Sequence, residues 1–407
     1  MASLLLTVIL YGCDVVPGSI GGQSAPLGTT TPIPTASVPA TTRDSSTVAG
    51  TPVAVASAAP STPTPAATPP QPTAIAIYVL TVTPVPATPT PSPSPTSEPL
   101  PATAHLDPMT HAYQTWNNCS AVSASMVLSY FGISRSQEEL ATVFRPNLND
   151  KHVDPMQLVR FFPEFGLKAN LYEAGSIDTI KRLIANGIPV MAPQWLDFKP
   201  DAIGHYRVIR GYDDERGGFL VNDSMIGSDV FFSYTDFEKL WRAFDYRYIP
   251  VYLPEDQEKV AAIIGPDMDR QANLLRALSL FTDLAQKNPN DAYYRFSIGT
   301  GFFELGNYSE AVAAYEKAES IGLPPKMLWY QFWPVTAYNE VGNYQRALEL
   351  ATAQIVQTGT FGEMRYERGR AYEAMGNWNA ALAEYRQAMV DDSNLQSARD
   401  ALARLGG

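Results

Sequence analysis

The chain has 407 residues, a formal charge of -12 and two cysteines. The acidic balance, with no basic stripe, excludes a general affinity for nucleic acid or anionic lipid, because phosphate binding needs clustered Lys and Arg. The length allows two or three domains, but the first quarter of the chain is too poor in core-forming residues to supply one.

The N-terminal run ASLLLTVILYGC is apolar and ends in Gly12 and Cys13, the pattern of an export signal and its cleavage site. Leu10-Tyr11-Gly12-Cys13 resembles a bacterial lipobox, although Tyr11 is bulkier than the residue usual there. A lipobox implies lipidation of Cys13, and residues 1–13 are expected to act as a signal peptide that leaves the protein on the outer face of a membrane. Cleaved secretion and a retained membrane anchor are the alternatives. Residues 14–105, rich in Ala, Pro, Ser and Thr, are expected to form a disordered linker. In polyproline II geometry, at about 3.1 Å per residue, such a linker reaches on the order of 200 Å. The apolar island Ala74 to Val82 is too short to span a bilayer.

Residues 106–265 alternate helical and strand patterns and predict an α+β domain. Helices are expected over Cys119–Tyr130, Gln137–Phe144 (a Ser136/Glu139 capping box), Pro155–Phe162 (capped by Asp154), Ile177–Ala185 and Asp236–Phe244 (after Thr235). Strands are expected over Lys168–Tyr172, Pro189–Trp195, His205–Tyr212, Gly218–Asn222 and Tyr246–Leu253, with YDDERGG as a hairpin turn.

Residues 266–407 read as helices only, with an internal repeat. GNY at Gly306, GNY at Gly342 and GNW at Gly376 lie 36 and 34 residues apart. Five residues after each glycine stands alanine (Ala311, Ala347, Ala381), and nine after stand Tyr315, Ala351 and Tyr385. Four before stand Phe302, Tyr338 and Tyr372. Small residues at fixed positions let antiparallel helices approach, and aromatics fill the space to the next pair. The pattern resembles the tetratricopeptide repeat, which implies a superhelical solenoid that binds a protein or peptide; bracing of the α+β domain is the structural alternative. Arg270–Pro289 resembles a preceding half-repeat, and Pro334 predicts a kink in the first helix of repeat two.

Cys119 is the only thiol beyond the leader, and it sits at a helix start, where unpaired N–H groups and the helix dipole favour a thiolate. A cysteine nucleophile needs a histidine as base and acid. His105, His111 and His152 are expected at the surface, whereas His205 opens a strand that holds it rigidly. Pairing across the hairpin puts position 205 roughly opposite 225 or 226, within reach of Asp223 as the histidine's orienting acceptor. Asn222 is the rival, and strand alternation allows only one of them to face His205. Gln114, five residues before Cys119, is positioned to donate to an oxyanion. Trp195 and Trp241 are expected in the core. No cofactor or metal is expected, since there is no His-Glu-x-x-His, no cysteine pair and no P-loop.

Together QTWNNC, MVLSYFG and GHYRVIRGYDDE resemble the papain-like cysteine peptidases of family thirty-nine, over about Tyr113 to Tyr252. The resemblance implies a papain-like domain that hydrolyses peptide or protein substrates. Cys119 would be nucleophile, His205 base and acid, Asp223 orienter and Gln114 oxyanion donor. The family usually has Gly-Pro after the cysteine, and here Ser120-Ala121 stand there. An inactive peptide-binding domain and a surface scaffold acting through its repeats are the other functions that fit the sequence.

Overall fold

The computed structural model describes residues 99–407; the leader, Cys13 and the linker up to residue 98 lie outside them. The α+β domain is built on seven antiparallel strands. These are β1 (Thr103–His105), β2 (Lys168–Ala169), β3 (Val190–Trp195), β4 (Gly204–Asp213), β5 (Gly218–Asp223), β6 (Gly227–Ser233) and β7 (Ile249–Tyr252). The main path runs β2-β7-β3-β4-β5-β6, which makes β4 a central strand. Its helices are α1 (Cys119–Tyr130), α2 (Gln137–Phe144), α3 (Pro155–Phe161), α4 (Ile177–Ala185), α5 (Tyr234–Trp241) and α6 (Gln257–Ile264).

Local chemistry sets the helix starts. Ser136 and Glu139 close a reciprocal capping box on α2, and Asp154 with Pro155 opens α3. α1 lies against β4 and β5 and buries Val122, Met126, Val127 and Leu128 in the main core with Val208 and Val221. About 25 cal/mol per Å² of apolar surface removed from water holds such a layer together.

Several boundaries differ from expectation. Residues 103–105 belong to the sheet and not to the linker: they pair with Asp213 to Gly211, along the edge of β4 that β3 leaves open. A three-residue strand carries no alternation by which to read it. β6 escapes for a related reason, since an edge strand with mostly half-exposed residues shows no clear period. α5 starts two residues earlier than expected because Ser233, not Thr235, caps it, accepting from the Asp236 amide at 3.1 Å. The last strand starts late because Asp245 and Tyr246 both have positive φ, 57° and 49°, and cannot be extended. β2 is short, with Tyr172 meeting Tyr248 in a single bridge.

The C-terminal region is α7 (Arg270–Lys287), α8 (Ala292–Glu304), α9 (Tyr308–Ile321), α10 (Trp333–Glu340), α11 (Tyr344–Thr358), α12 (Gly362–Ala374), α13 (Trp378–Asp391) and α14 (Gln396–Leu405). The turn glycines Gly306, Gly342 and Gly376 all have φ +78°, a left-handed conformation that glycine adopts without strain. Ala311, Ala347 and Ala381 are fully buried between paired helices. Seven residues before each turn glycine the pairing is completed in two ways: Gly299 faces Tyr315 and Gly369 faces Tyr385, whereas repeat two buries Val335 and Ala351 in one cluster. Volume is conserved across the pair, as close packing demands. Pro334 does not kink a helix. It stands in the first turn of α10, where no amide donor is needed, and α10 has only 8 residues.

The two regions share their cores. Trp195, Leu240, Ala243 and Phe244 of the α+β domain cluster with Phe296, Tyr315 and Met327 of the repeats. Polar ties also join the two regions: Arg242 pairs with Asp291 at 2.7 Å, and Asn273 donates to the Glu173 carbonyl at 3.0 Å.

Candidate active site

Cys119 is the first residue of α1 and is half-buried. Asn118, the residue before it, does not cap the helix with its side chain. Its Nδ2 donates instead to Thr115 Oγ1 at 2.8 Å and its Oδ1 accepts from Arg145. The first amides of α1 therefore remain uncapped by any side chain, and the dipole's positive end is directed at the sulfur.

His205 is the second residue of β4 and 2 % exposed. Its Nε2 donates to Asp223 Oδ1 at 3.1 Å, which leaves Nδ1 for the Cys119 thiol. The hairpin produces this pairing: β4 and β5 match Asp213 with Gly218, and after an irregularity at Ile209–Gly211 match Val208 with Asn222. Asp223 consequently shares a side with His205 and Arg207. Asn222 points elsewhere, near Arg210 and Ser228, which donates to its Oδ1 at 3.1 Å.

The charges reinforce one another. Burial pushes the Cys119 thiol up, but the hydrogen bond and charge of His205, with the Tyr206 backbone and Arg145, outweigh it, so its pKa lies below the ordinary value. Burial pushes the His205 imidazole down, and the charge and hydrogen bond of Asp223 together with Cys119 bring it above its ordinary value. Burial raises Asp223, yet His205, Arg207 and the Met225 amide hold it well below the usual carboxylate range. Both directions favour passing the thiol proton to the imidazole, with a carboxylate behind it.

Gln114 joins the site through the loop after β5. Its backbone N–H donates to Ser224 O at 2.9 Å, and its Oε1 accepts from Ser224 Oγ at 2.8 Å, so Nε2 is the end left to donate elsewhere. Ser120 is 1 % exposed and its hydroxyl has no hydrogen-bond partner.

Two buried arginines are additions that the sequence reading missed. Arg207 donates through Nε to Asp223 Oδ2 at 2.7 Å and through Nη1 to Gln194 Oε1 at 2.9 Å, fixing the carboxylate. Its signal was present: two residues after His205 on a strand, it shares that histidine's side. Arg145 donates through Nη1 to Leu148 O and Asp150 O, both at 2.8 Å, and ties the loop before Cys119 to the loop before α3. Nothing in its sequence neighbourhood marks it.

Other expectations change. His152 is 4 % exposed rather than on the surface, because its ring stacks on Phe361 and meets Phe332 from the repeats. His111 is half-buried, bonded through Nε2 to Asp223 O at 3.0 Å, and His105 is exposed between Asp107 and Asp229. Trp195 and Trp241 are buried. Among the described residues no helix is long and apolar enough to cross a membrane, and no group of three His, Cys, Asp or Glu could hold a metal ion.

Residues 104–249 match the family described as Peptidase_C39 like family, and a helical region with an internal repeat follows them. Among solved structures it is similar to a putative C39-like peptidase from Bacillus anthracis, at 18% identity and TM-score 0.32, covering 37% of this chain and 96% of that one. The peptidase domain of Streptococcus ComA, described as a bi-functional ABC transporter, is 14% identical with TM-score 0.29, covering 36% of this chain and 98% of its own. MamA from Desulfovibrio magneticus RS-1 is 19% identical with TM-score 0.31, covering 37% of this chain and 84% of its own. No curated protein matches the chain.

Proposed function

We propose that the α+β domain is a cysteine peptidase. The observation that carries this reading is His205 held between the Cys119 thiol and the Asp223 carboxylate. The Cys119 thiolate attacks the substrate carbonyl, forming a C–S bond and an oxyanion that the Cys119 amide and Gln114 Nε2 receive. His205 then gives its proton to the leaving amine as the C–N bond breaks. In the second half, His205 takes a proton from water, whose oxygen displaces the thiolate from the thioester. Asp223 stays ionised and keeps the ring oriented. Arg145 and Arg207 act through these groups, as positioning residues.

The rate of iodoacetamide alkylation of Cys119 against pH tests the reading without a substrate. A low folded pKa for the thiol and a raised one for His205 predict reactivity that persists well below the ordinary cysteine pKa of about 8.5. The His205→Ala variant should lose it. An ordinary titration in both proteins overturns the proposal.

A second reading, an inactive peptide-binding domain, draws on the buried Ser120 hydroxyl where the resembling family has glycine. Under it the thiol is ordinary in pH and peptides still bind the Cys119→Ala variant. The proposal further includes export, lipidation of Cys13 and a protein partner for the repeats. Mass measurement of the mature N-terminus tests the lipid. A capture experiment that survives Cys119→Ala but not deletion from Pro266 onward tests the partner.

A further inference from the structure

One wall of the Cys119 pocket belongs to the repeats. The gap between α9 and α10 is the eleven residues Gly322–Phe332, against three between α11 and α12 (Gly359–Phe361). This longer segment crosses to the α+β domain and is fastened on both sides of the cleft. On one side Lys326 Nζ donates to Asp201 O at 2.6 Å and Gln331 Nε2 to Ala243 O at 2.7 Å. On the other, His152 Nδ1 donates to Trp329 O at 3.3 Å, and the Lys151 ammonium lies 5.4 Å from the centre of the Trp329 ring.

Tyr330 sits between those fastenings. Its ring lies on Gly204, the residue before His205, so closely that a Cβ on Gly204 would stand 2.9 Å from three ring atoms. Trp195 and Phe244 meet the ring edge-on and tilted, with centroids at 6.0 and 6.3 Å. Across from it are Cys119, Ser120 and Val153, and the cavity left between them is about 30 Å³. At about 10–15 Å³ for an enclosed water, that is room for about two waters and too little for a bulky side chain.

We propose that Tyr330 is a specificity-determining residue: carried by the repeat domain, it sets the size of side chain that the pocket beside Cys119 admits. The inference rests on the peptidase reading for the reaction it would control, and on geometry alone for the wall. It gives the fusion of the two domains a function at the site itself, apart from any partner held by the repeats. A bulky side chain enters only if the Gly322–Phe332 segment moves.

The test uses the full chain and two reagents of one chemistry: iodoacetamide and a biotin-linked iodoacetamide. In both, sulfur displaces iodide from the same carbon, and only the arm differs. Rates are read on the Cys119 peptide by mass spectrometry, which separates it from Cys13. Relative to the same reagent pair on free cysteine, the wild-type protein should disfavour the bulky reagent by about tenfold or more, the range over which a pocket rejects an oversized group. Tyr330→Ala and Tyr330→Leu should bring the ratio close to that of free cysteine, and Tyr330→Trp should slow iodoacetamide itself. Wild-type protein without size selection, or selection unchanged in whichever of the smaller variants stays folded, overturns the proposal. Failure of the peptidase reading looks different: an ordinary thiol titration with size selection still lost on removing Tyr330 leaves the wall assigned and removes the catalysis.

Discussion

Repeats two and three carry the same turn, with Gly342 and Gly376 both at φ +78°, yet they differ in the helix before it. In repeat three, α12 has 13 residues and closes on α13 through Gly369 and Tyr385. In repeat two, α10 has 8 residues, and the chain ahead of it lies on the α+β domain. Repeat three is stabilised by its own pair of helices, while repeat two has exchanged helical turns for contacts beside Cys119. A departure from a repeat pattern is thus a place to look for a contact between domains.

The largest effect should come from breaking the regular repeat. Tyr385 is 1 % exposed, and Tyr385→Ala leaves a cavity against Gly369 that costs about 3–5 kcal/mol, as large-to-small core changes do. A thermal melt should show it, with the reagent selectivity of Cys119 unchanged. Loss of that selectivity would mean that the two repeats are not separate in function. Adding a methyl group to each glycine sharpens the contrast. At Gly369 a Cβ would meet the Tyr385 ring at 2.5 Å inside a closed helix pair, so Gly369→Ala should cost about 1–3 kcal/mol. Gly204→Ala meets Tyr330 at 2.9 Å on a segment without α-helix, and should cost less while shifting the selectivity at Cys119. Equal costs with equal selectivity would erase the distinction.

What the sequence made legible follows from the range over which each signal acts. Capping boxes, the hairpin turn and the repeat glycines are local, and α1, α2 and α4 lie where their residues predict. The placement of His205 and Asp223 was legible for a similar reason, since a short turn fixes register and register fixes which side chains meet. β1 and β6 were not, because a strand of three residues and a half-exposed edge strand have no period to read. The burial of His152 and the place of Tyr330 depend on contacts across about 180 and 125 residues of chain, which no local pattern encodes. Pro334 does mark the irregularity of repeat two, although it starts a helix there and does not kink one.

Repeat three approaches the α+β domain where carboxyls of both regions oppose one another's ionisation. Burial first, then the charge of Asp392 and Asp154, pushes Glu363 on α12 up to about 8. Asp150 is likewise pushed to about 8 by burial, Glu363 and Asp392, against the opposing effect of His152. A carboxyl whose folded pKa is raised keeps its proton when the unfolded chain has released it. Stability therefore falls as pH rises from the ordinary value of 4.5 towards 8, and the full cost stands above that. Glu363→Gln cannot ionise and escapes the cost. Its melting temperature should equal that of the wild-type protein near pH 5 and exceed it by roughly 2–4 °C near pH 9, if about 1 kcal/mol is regained. A difference independent of pH would remove the carboxylates from this account.

The smallest effect decides what Pro334 does. A proline inside a helix displaces a hydrogen bond and its ring strikes the preceding turn, so replacing it with alanine would stabilise the protein by several kcal/mol. In the first turn of α10 neither penalty applies. There the fixed φ suits the helix and limits the unfolded chain, so Pro334→Ala should destabilise by about 0.4–1 kcal/mol. A lower denaturation midpoint with an unchanged slope is the expected result, and a clear gain in stability would restore the kink. The sign matters beyond one residue: a start of α10 fixed by proline holds the end of the Gly322–Phe332 segment, and with it the reach of Tyr330 to Gly204.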